Sequence, residues 1–256
     1  MTQAESGRSP GASRGAARVL WGVVAWLVFL CGVAGALVST LVLPGLPRRR
    51  RWVGRCARLP FRLARVPVGV FGLEQLPRRQ CVLVANHASY VDGIILQAFL
   101  PPRFSYVIKG EMQRVPVAHF LLRRIGARFV DRFTAQAARD ARELLRAADG
   151  GESLAFFPEG TFVRTAGLAR FRSGAFAAAM RSGIPVVPVV IRGSRELLPA
   201  GAVLPRRAAL EIDILEPLDP AACGDTRALI AAVRRRMLAV LGEPDLAVAP
   251  HPRRGS

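Results

Sequence analysis

An open α/β sheet with helices on both faces, behind an N-terminal transmembrane helix, is the architecture this sequence predicts. Two patterns carry that expectation. The 256 residues are 51% hydrophobic with a mean hydropathy of +0.28, high for a soluble chain, and the excess is concentrated near the N-terminus. From Val66 onward, short apolar runs alternate with helical stretches, the rhythm of a sheet covered by helices. This length fits one substantial domain with appendages.

The apolar excess lies between Val19 and Leu43, where no side chain is charged. As a helix the run reaches roughly 37 Å, against about 30 Å of bilayer hydrocarbon, so it spans with some tilt. A buried core helix seldom holds more than ~14 wholly apolar residues. A signal peptide is the stronger rival, because Ala34-Gly35-Ala36 resembles a small-residue cleavage site. Arginines flank the run unevenly, with Arg8, Arg14 and Arg18 before it and Arg48 to Arg51, Arg55, Arg58, Arg62 and Arg65 after it. The richer side normally stays inside, which places the bulk of the chain on the cytoplasmic face of the cell membrane.

Residues 1–18 are rich in Gly, Ser, Ala and Arg without hydrophobic period and read as a disordered tail, as do residues 245–256. The stretch Gly11-Ala12-Ser13-Arg14-Gly15 matches the G-x-S-x-G hydrolase elbow but lacks the strand before it and the helix after it that the elbow requires. In the segment 44–65, four arginines at helical spacing alternate with Trp52, Val53, Cys56, Leu59 and Leu63. That pattern suits a basic interfacial segment and equally a solvated helix, and Pro60 weighs against a continuous one.

A formal charge of +19 and a pI near 11.6 invite a nucleic-acid reading. Lys109 is the only lysine, no zinc-ligand spacing occurs and no aromatic-rich RNA-binding pattern is present, so anionic membrane phospholipids are the expected partner and nucleic acid is not. The cysteines Cys31, Cys56, Cys81 and Cys223 are scattered and read as reduced apolar residues.

Strands are expected at Val66–Phe71, Cys81–Ala85, Phe104–Ile108, Ala127–Val130, Ser153–Phe157, Val186–Ile191 and Ala208–Leu215. Helices are expected at Tyr90–Phe99, Val115–Ile125, Thr134–Ala148, Ser173–Ser182 and Thr226–Leu241. Sites in such sheets lie where strands end and helices begin. There the second strand runs into Asn86-His87-Ala88-Ser89-Tyr90-Val91-Asp92. A histidine at a strand end reaches a bound substrate, and a carboxylate five residues on, in the first helical turn, folds back to its ring. His87 would then take a proton from a hydroxyl while Asp92 fixes its tautomer. Ser89 and Asp92 also form the S-x-x-D pattern of a helix cap, so a purely structural Asp92 stays open.

Three further blocks follow in order: Gly126-Ala127-Arg128-Phe129-Val130-Asp131-Arg132, Phe157-Pro158-Glu159-Gly160-Thr161 and Ile184-Pro185-Val186-Val187-Pro188-Val189. With the His87 block they resemble, in order and spacing, the four motif blocks of the lysophospholipid acyltransferase family, over roughly Val66 to Pro217, including Lys109 and the run Phe171-Arg172-Ser173-Gly174-Ala175-Phe176.

That resemblance implies a mixed open sheet flanked by helices, the glycerolphosphate acyltransferase fold, over residues 66–244. It also implies acyl transfer from acyl-CoA or acyl-carrier protein to the free hydroxyl of a lysophospholipid, first of all 1-acyl-sn-glycerol-3-phosphate, giving phosphatidic acid. No metal and no cofactor beyond the acyl donor are implied, and His87 is the general base with Asp92 beside it. The second and third blocks would hold the acceptor, with Gly126, Phe129, Glu159, Gly160, Thr161 and Lys109 among the binding residues and Arg132 facing the phosphate. Arginine's planar fork suits phosphate oxygens, and Gly160 lets backbone N–H groups approach an anion or an oxyanion. Without the resemblance, Arg132 reads as a surface partner of Asp131 or Glu143. One position departs from the pattern: Phe162 stands where many lysophosphatidate enzymes have an arginine, leaving Arg164, Arg170 and Arg172 as the nearby cations. Another lysolipid or an aminolipid acceptor, or a thioesterase or phospholipase using the same pair, is therefore the alternative.

Overall fold

The structure is a computed structural model that describes residues 10–130, 146–147, 150–162 and 164–247, with side chains from residue 15. Seven strands form one sheet: β1 (Val68–Phe71), β2 (Val82–Ala85), β3 (Phe104–Lys109), β4 (Arg128–Val130), β5 (Ser153–Phe156), β6 (Val186–Arg192) and β7 (Leu210–Ile214). Their order is β1-β7-β6-β2-β5-β3-β4, with every pair parallel except β6–β7. The sheet is therefore mixed, and β6, β2, β5, β3 and β4 all end on one edge.

Burial explains why these runs pair. β2 and β5 are buried at every position, as expected of parallel strands covered on both faces. Alternate residues feed two cores. Val82 and Val84 join Phe156, Val186 and Val190 beneath α5 (Gly174–Ser182) and α7 (Thr226–Leu241). Cys81, Leu83 and Ala85 join Val189 and Ile191 beneath α3 (Asp92–Phe99), on the face where Phe61 also packs. The remaining helices are α4 (Pro116–Arg124) and the short α6 (Ser194–Leu197). The expected helix Thr134–Ala148 lies almost entirely outside the described residues.

The N-terminal segment forms a helical hairpin, α1 (Pro10–Val42) followed by α2 (Leu46–Leu63). α1 is long and apolar enough over Gly15–Val42 to cross a membrane. It begins at Pro10 rather than at Val19, so the last residues of the expected tail are helical: once a long apolar helix is nucleated, alanine-rich neighbours extend it one hydrogen bond at a time. One side of α1 docks on the domain, where Trp21 Nε1 donates to Ala64 O at 3.2 Å and Trp26 Nε1 donates to Val203 O at 2.6 Å. At its other end Thr40 O accepts from Arg124 Nε at 3.0 Å and Nη2 at 2.6 Å. The opposite side leaves Leu20, Val23, Leu27, Leu30 and Leu41 exposed.

α2 is continuous through Pro60, contrary to the expectation of a break. Proline cannot donate to the carbonyl four residues back, which is Cys56 O, and Gly32 of α1 fits against that carbonyl, where an added Cβ would come within 2.9 Å. The two helices thus pack closely at the carbonyl that Pro60 leaves without its helical donor. α2 is also tied to the sheet by buried Arg50, whose Nε donates to Ile125 O at 2.8 Å, Nη1 to Arg103 O at 3.1 Å and Nη2 to Ser105 Oγ at 2.6 Å. Ser105 in turn donates to Glu152, which holds Arg128. At the other terminus, the expected flexible segment is anchored through residue 247 at least. Asp245 bridges to Leu168 and pairs with Arg234, and Leu246 N donates to Leu168 O at 3.1 Å.

Replacing Arg50 with Met strands two buried acceptors and a partly buried one, so Arg50→Met is expected to lower unfolding stability by about 3 kcal/mol in detergent micelles. Chemical denaturation of the two proteins measures it. A loss below ~0.5 kcal/mol, the range for ordinary surface changes, would contradict the clasp.

Candidate active site

His87 sits just beyond the carboxyl end of β2, between the ends of β5 and β6. Asn86 fixes that end: its Nδ2 donates to Ile191 O at 2.9 Å and its Oδ1 accepts from Ile191 N at 2.7 Å. The side chain thereby continues the β2–β6 ladder after the backbone has left it. Across β5, Glu159 Oε1 accepts from His87 N at 2.7 Å and Oε2 accepts from Ala169 N at 2.8 Å.

Asp92 is the first residue of α3 and completely buried. Its Oδ2 accepts from His87 Nδ1 at 2.8 Å, Ala88 N at 2.7 Å and Ser89 N at 2.8 Å. The S-x-x-D pattern does not form a helix cap here: α3 has no side-chain cap, Ser89 Oγ donates to Leu198 O, and Asp92 Oδ2 instead closes the turn that precedes the helix. With Nδ1–H donating to a carboxylate, the proton-free nitrogen is Nε2, and the His87 side chain keeps 19% of its surface open. Phe157 stacks on the imidazole at 4.2 Å, and Phe162 meets it edge-on at 4.9 Å. Phe162 also meets Tyr90 at 4.6 Å, so aromatic rings flank the histidine.

Glu159 lies beneath the His87 turn rather than among its exposed residues. It is a buried positioning residue, because both oxygens are occupied by backbone N–H groups that fix His87 and the following loop. Burial pushes its carboxyl up to about 7, against the two backbone hydrogen bonds and the Arg234 charge, which favour the ionised form. Gly160 has φ 78°, and its N–H donates to Phe157 O at 3.0 Å, so it makes the turn and offers no free oxyanion donor here. Thr161 is exposed beside it.

Gly126 is likewise structural. Its φ is 76° and an added Cβ would lie 2.9 Å from Arg50 Nη2, so the glycine makes room for the clasp. Phe129 lies on β4, three strands from β2 and so about 14 Å across the sheet, with its ring against His119 at 5.2 Å. Lys109 ends β3, two strands away, and pairs with Glu111 at 2.7 Å on the surface. Arg132 lies outside the described residues. Arg164 is exposed, with its guanidinium over Gly201, three residues after Leu198, whose O accepts from Ser89 Oγ at 2.7 Å. Arg170 and Arg172 are exposed, and Arg172 N donates to Pro158 O at 2.8 Å.

Asn86, Phe157 and Tyr90 are site residues that sequence reasoning did not single out. An Asn directly after an apolar strand was the available signal for the first, and the other two show only through ring contacts. Among the described residues, no three His, Cys, Asp or Glu side chains gather as metal ligands.

A histidine whose Nδ1 is held by a buried carboxylate, at the carboxyl edge of a mixed α/β sheet, is the arrangement of a general-base enzyme. The family model described as Acyltransferase matches residues 67–192. The lyso-ornithine lipid O-acyltransferase of Pseudomonas aeruginosa is 31% identical over 70% of this chain and 65% of its own. The 1-acyl-sn-glycerol-3-phosphate acyltransferase of Saccharomyces cerevisiae is 29% identical over 73% of this chain and 64% of its own. The crystal structure of the 1-acyl-sn-glycerophosphate acyltransferase from Thermotoga maritima superposes with a TM-score of 0.76 at 22% identity, over 90% of this chain and 96% of that one. Residues 67–192 thus form an Acyltransferase-family region of the chain. Its match spans between 53% and 64% of the length of the first three curated relatives.

Folded Glu159 titrates near 7 against an ordinary 4.5. Between these values the folded state holds a proton that the unfolded chain has lost, so stability falls as pH rises, by about 3 kcal/mol in all. The contribution is intact below 4.5 and gone above about 7. Glu159→Gln is expected to remove this slope in denaturant unfolding followed across that range; an unchanged slope would contradict the assignment.

Proposed function

We propose that this chain is an O-acyltransferase that moves a fatty acyl group from acyl-CoA or acyl-carrier protein to the free hydroxyl of a lysophospholipid, with 1-acyl-sn-glycerol-3-phosphate as acceptor and phosphatidic acid as product. The observation that carries the reading is the His87–Asp92 pair, in which the carboxylate engages Nδ1 and leaves Nε2 as the proton-free ring nitrogen. Nε2 takes the hydroxyl proton as the oxygen attacks the thioester carbonyl, and the forming imidazolium is held by Asp92. Collapse breaks the carbon–sulfur bond, and the imidazolium proton goes to the leaving thiolate. An ester and a free thiol result, with no acyl-enzyme and no metal or cofactor required.

The acceptor explains the apolar hairpin. Drawing a sixteen-carbon chain out of a bilayer costs on the order of 12 kcal/mol, so the lysolipid stays in the membrane and the enzyme must meet it there. The arginines after α1 favour attachment to anionic lipid from the cytoplasmic face.

A second acceptor class, a lyso-aminolipid, is favoured by one contact. Phe162 puts an aromatic ring against His87 where a cation would face a phosphate. The Pseudomonas relative named for lyso-ornithine lipid fits that alternative.

Labelled acyl thioester, the purified chain in vesicles and a panel of lysolipids, with products identified by mass, test the reading. Acylation of the acceptor hydroxyl is expected, best with lysophosphatidate. Free fatty acid released without dependence on a lysolipid would replace the transferase with a hydrolase. Arg132→Ala is expected to cost ~1.5–3 kcal/mol in kcat/KM for phosphate-bearing acceptors alone. Equal losses on phosphate-free acceptors would remove its phosphate role. Phe162→Arg should shift preference toward phosphate-bearing acceptors, and a preference unchanged within twofold would discard the aromatic wall as a selector.

A further inference from the structure

The stretch from Gly110 to Arg124, a 3-10 turn (Gly110–Arg114) followed by α4, has no buried residue in either element. Its large apolar side chains are open to solvent: Met112 at 37%, Val115 at 48%, Val117 at 52% and Phe120 at 39%. A cluster of this kind on an ordered surface marks an interaction site rather than chance exposure.

Two observations say what covers it. First, α4 is docked against the apolar hairpin: Leu121 and Leu122 pack with Ala36 and Val53, and Arg124 binds the carbonyl of Thr40. The open residues of α4 are therefore neighbours of the C-terminal end of α1, where Val38, Leu41 and Val42 are also exposed. Second, α4 carries no acidic residue, and the exposed Arg114 and Arg123 flank the apolar side chains. Apolar residues bordered by cations, continuous with a helix apolar enough for a bilayer, match the interfacial zone of an anionic membrane.

We propose that Met112, Val115, Val117 and Phe120 form a lipid-inserting surface, distinct from the outward face of α1, that seats the carboxyl edge of the sheet on the bilayer. The surface starts directly after β3, whose carboxyl end shares an edge with that of β2, just beyond which His87 lies. His119 of the same helix touches Phe129 on β4. If the acceptor reading holds, a lysolipid hydroxyl comes up to His87 at the place where α4 enters the membrane.

The test uses the full chain in vesicles of phosphatidylcholine and phosphatidylglycerol carrying brominated acyl chains. Val117→Trp and Phe120→Trp are compared with the parent, whose own tryptophans are Trp21, Trp26 and Trp52. The added fluorescence is expected to be blue-shifted and quenched by bromine. Added emission that stays water-like and unquenched overturns the surface, and so does quenching-free association into dimers that Phe120→Glu dissolves, which would assign the face to a second copy. Val117→Glu/Phe120→Glu is expected to lower turnover of a vesicle-embedded acceptor about tenfold while leaving a monomeric short-chain acceptor within about twofold, as charge on a lipid face acts only where lipid is met. Equal loss on both acceptors overturns the proposal. Quenching of the added tryptophans in a protein that acylates no acceptor would uphold the surface and remove the functional reading instead.

Discussion

A single carboxylate oxygen, Asp92 Oδ2, gathers the His87 ring and the backbone N–H groups of Ala88 and Ser89. Removing a carboxylate from water is costly unless charge-assisted hydrogen bonds replace the lost hydration, and this oxygen receives three. The turn from β2 into α3 must therefore close tightly enough to aim all three donors at one point. That closure orients the imidazole and fixes the turn that leads into α3. The ring's orientation and the turn's shape thus rest on the same carboxylate oxygen.

The rest of the structure holds this turn from both sides. Asn86 locks it to β6 and Glu159 locks it to the loop after β5. Glu159 in turn depends on the loop at Ala169, whose carbonyl accepts from Arg234 on α7, and Asp245 and Glu243 hold neighbouring residues. At the far end, Arg50 ties the hairpin to β3 and to the residue before Gly126. Buried ionic groups are costly to disrupt one partner at a time, which ties both the hairpin and the site edge to the sheet.

The seven strands were legible because parallel strands covered on both faces read as plain apolar runs, and Val82–Ala85 and Val186–Val190 do so. The antiparallel placement of β7 was not legible from pattern alone, since a strand's direction leaves no mark on its composition; the family resemblance supplied the mixed sheet. His87 and Asp92 were visible because their partnership is local in sequence. Glu159 and Gly126 were placed among binding residues because their real partners, the His87 backbone and Arg50, lie far away along the chain. Pro60 weighed against a continuous helix because its packing against Gly32 of α1 is not visible in local sequence. The roles of Phe157 and Tyr90 depend on ring packing, which no short motif encodes.

The central claim is that His87 is the base that makes the acceptor hydroxyl a nucleophile. It is tested most directly by the single-turnover rate of acyl transfer for purified His87→Ala beside the parent, in preparations freed of host acyltransferases, with far-ultraviolet circular dichroism to establish that the fold is kept. The account predicts a fall of about 10²–10⁴ in the transfer rate with an unchanged spectrum. A folded His87→Ala protein that transfers acyl groups at the parent's rate would contradict it.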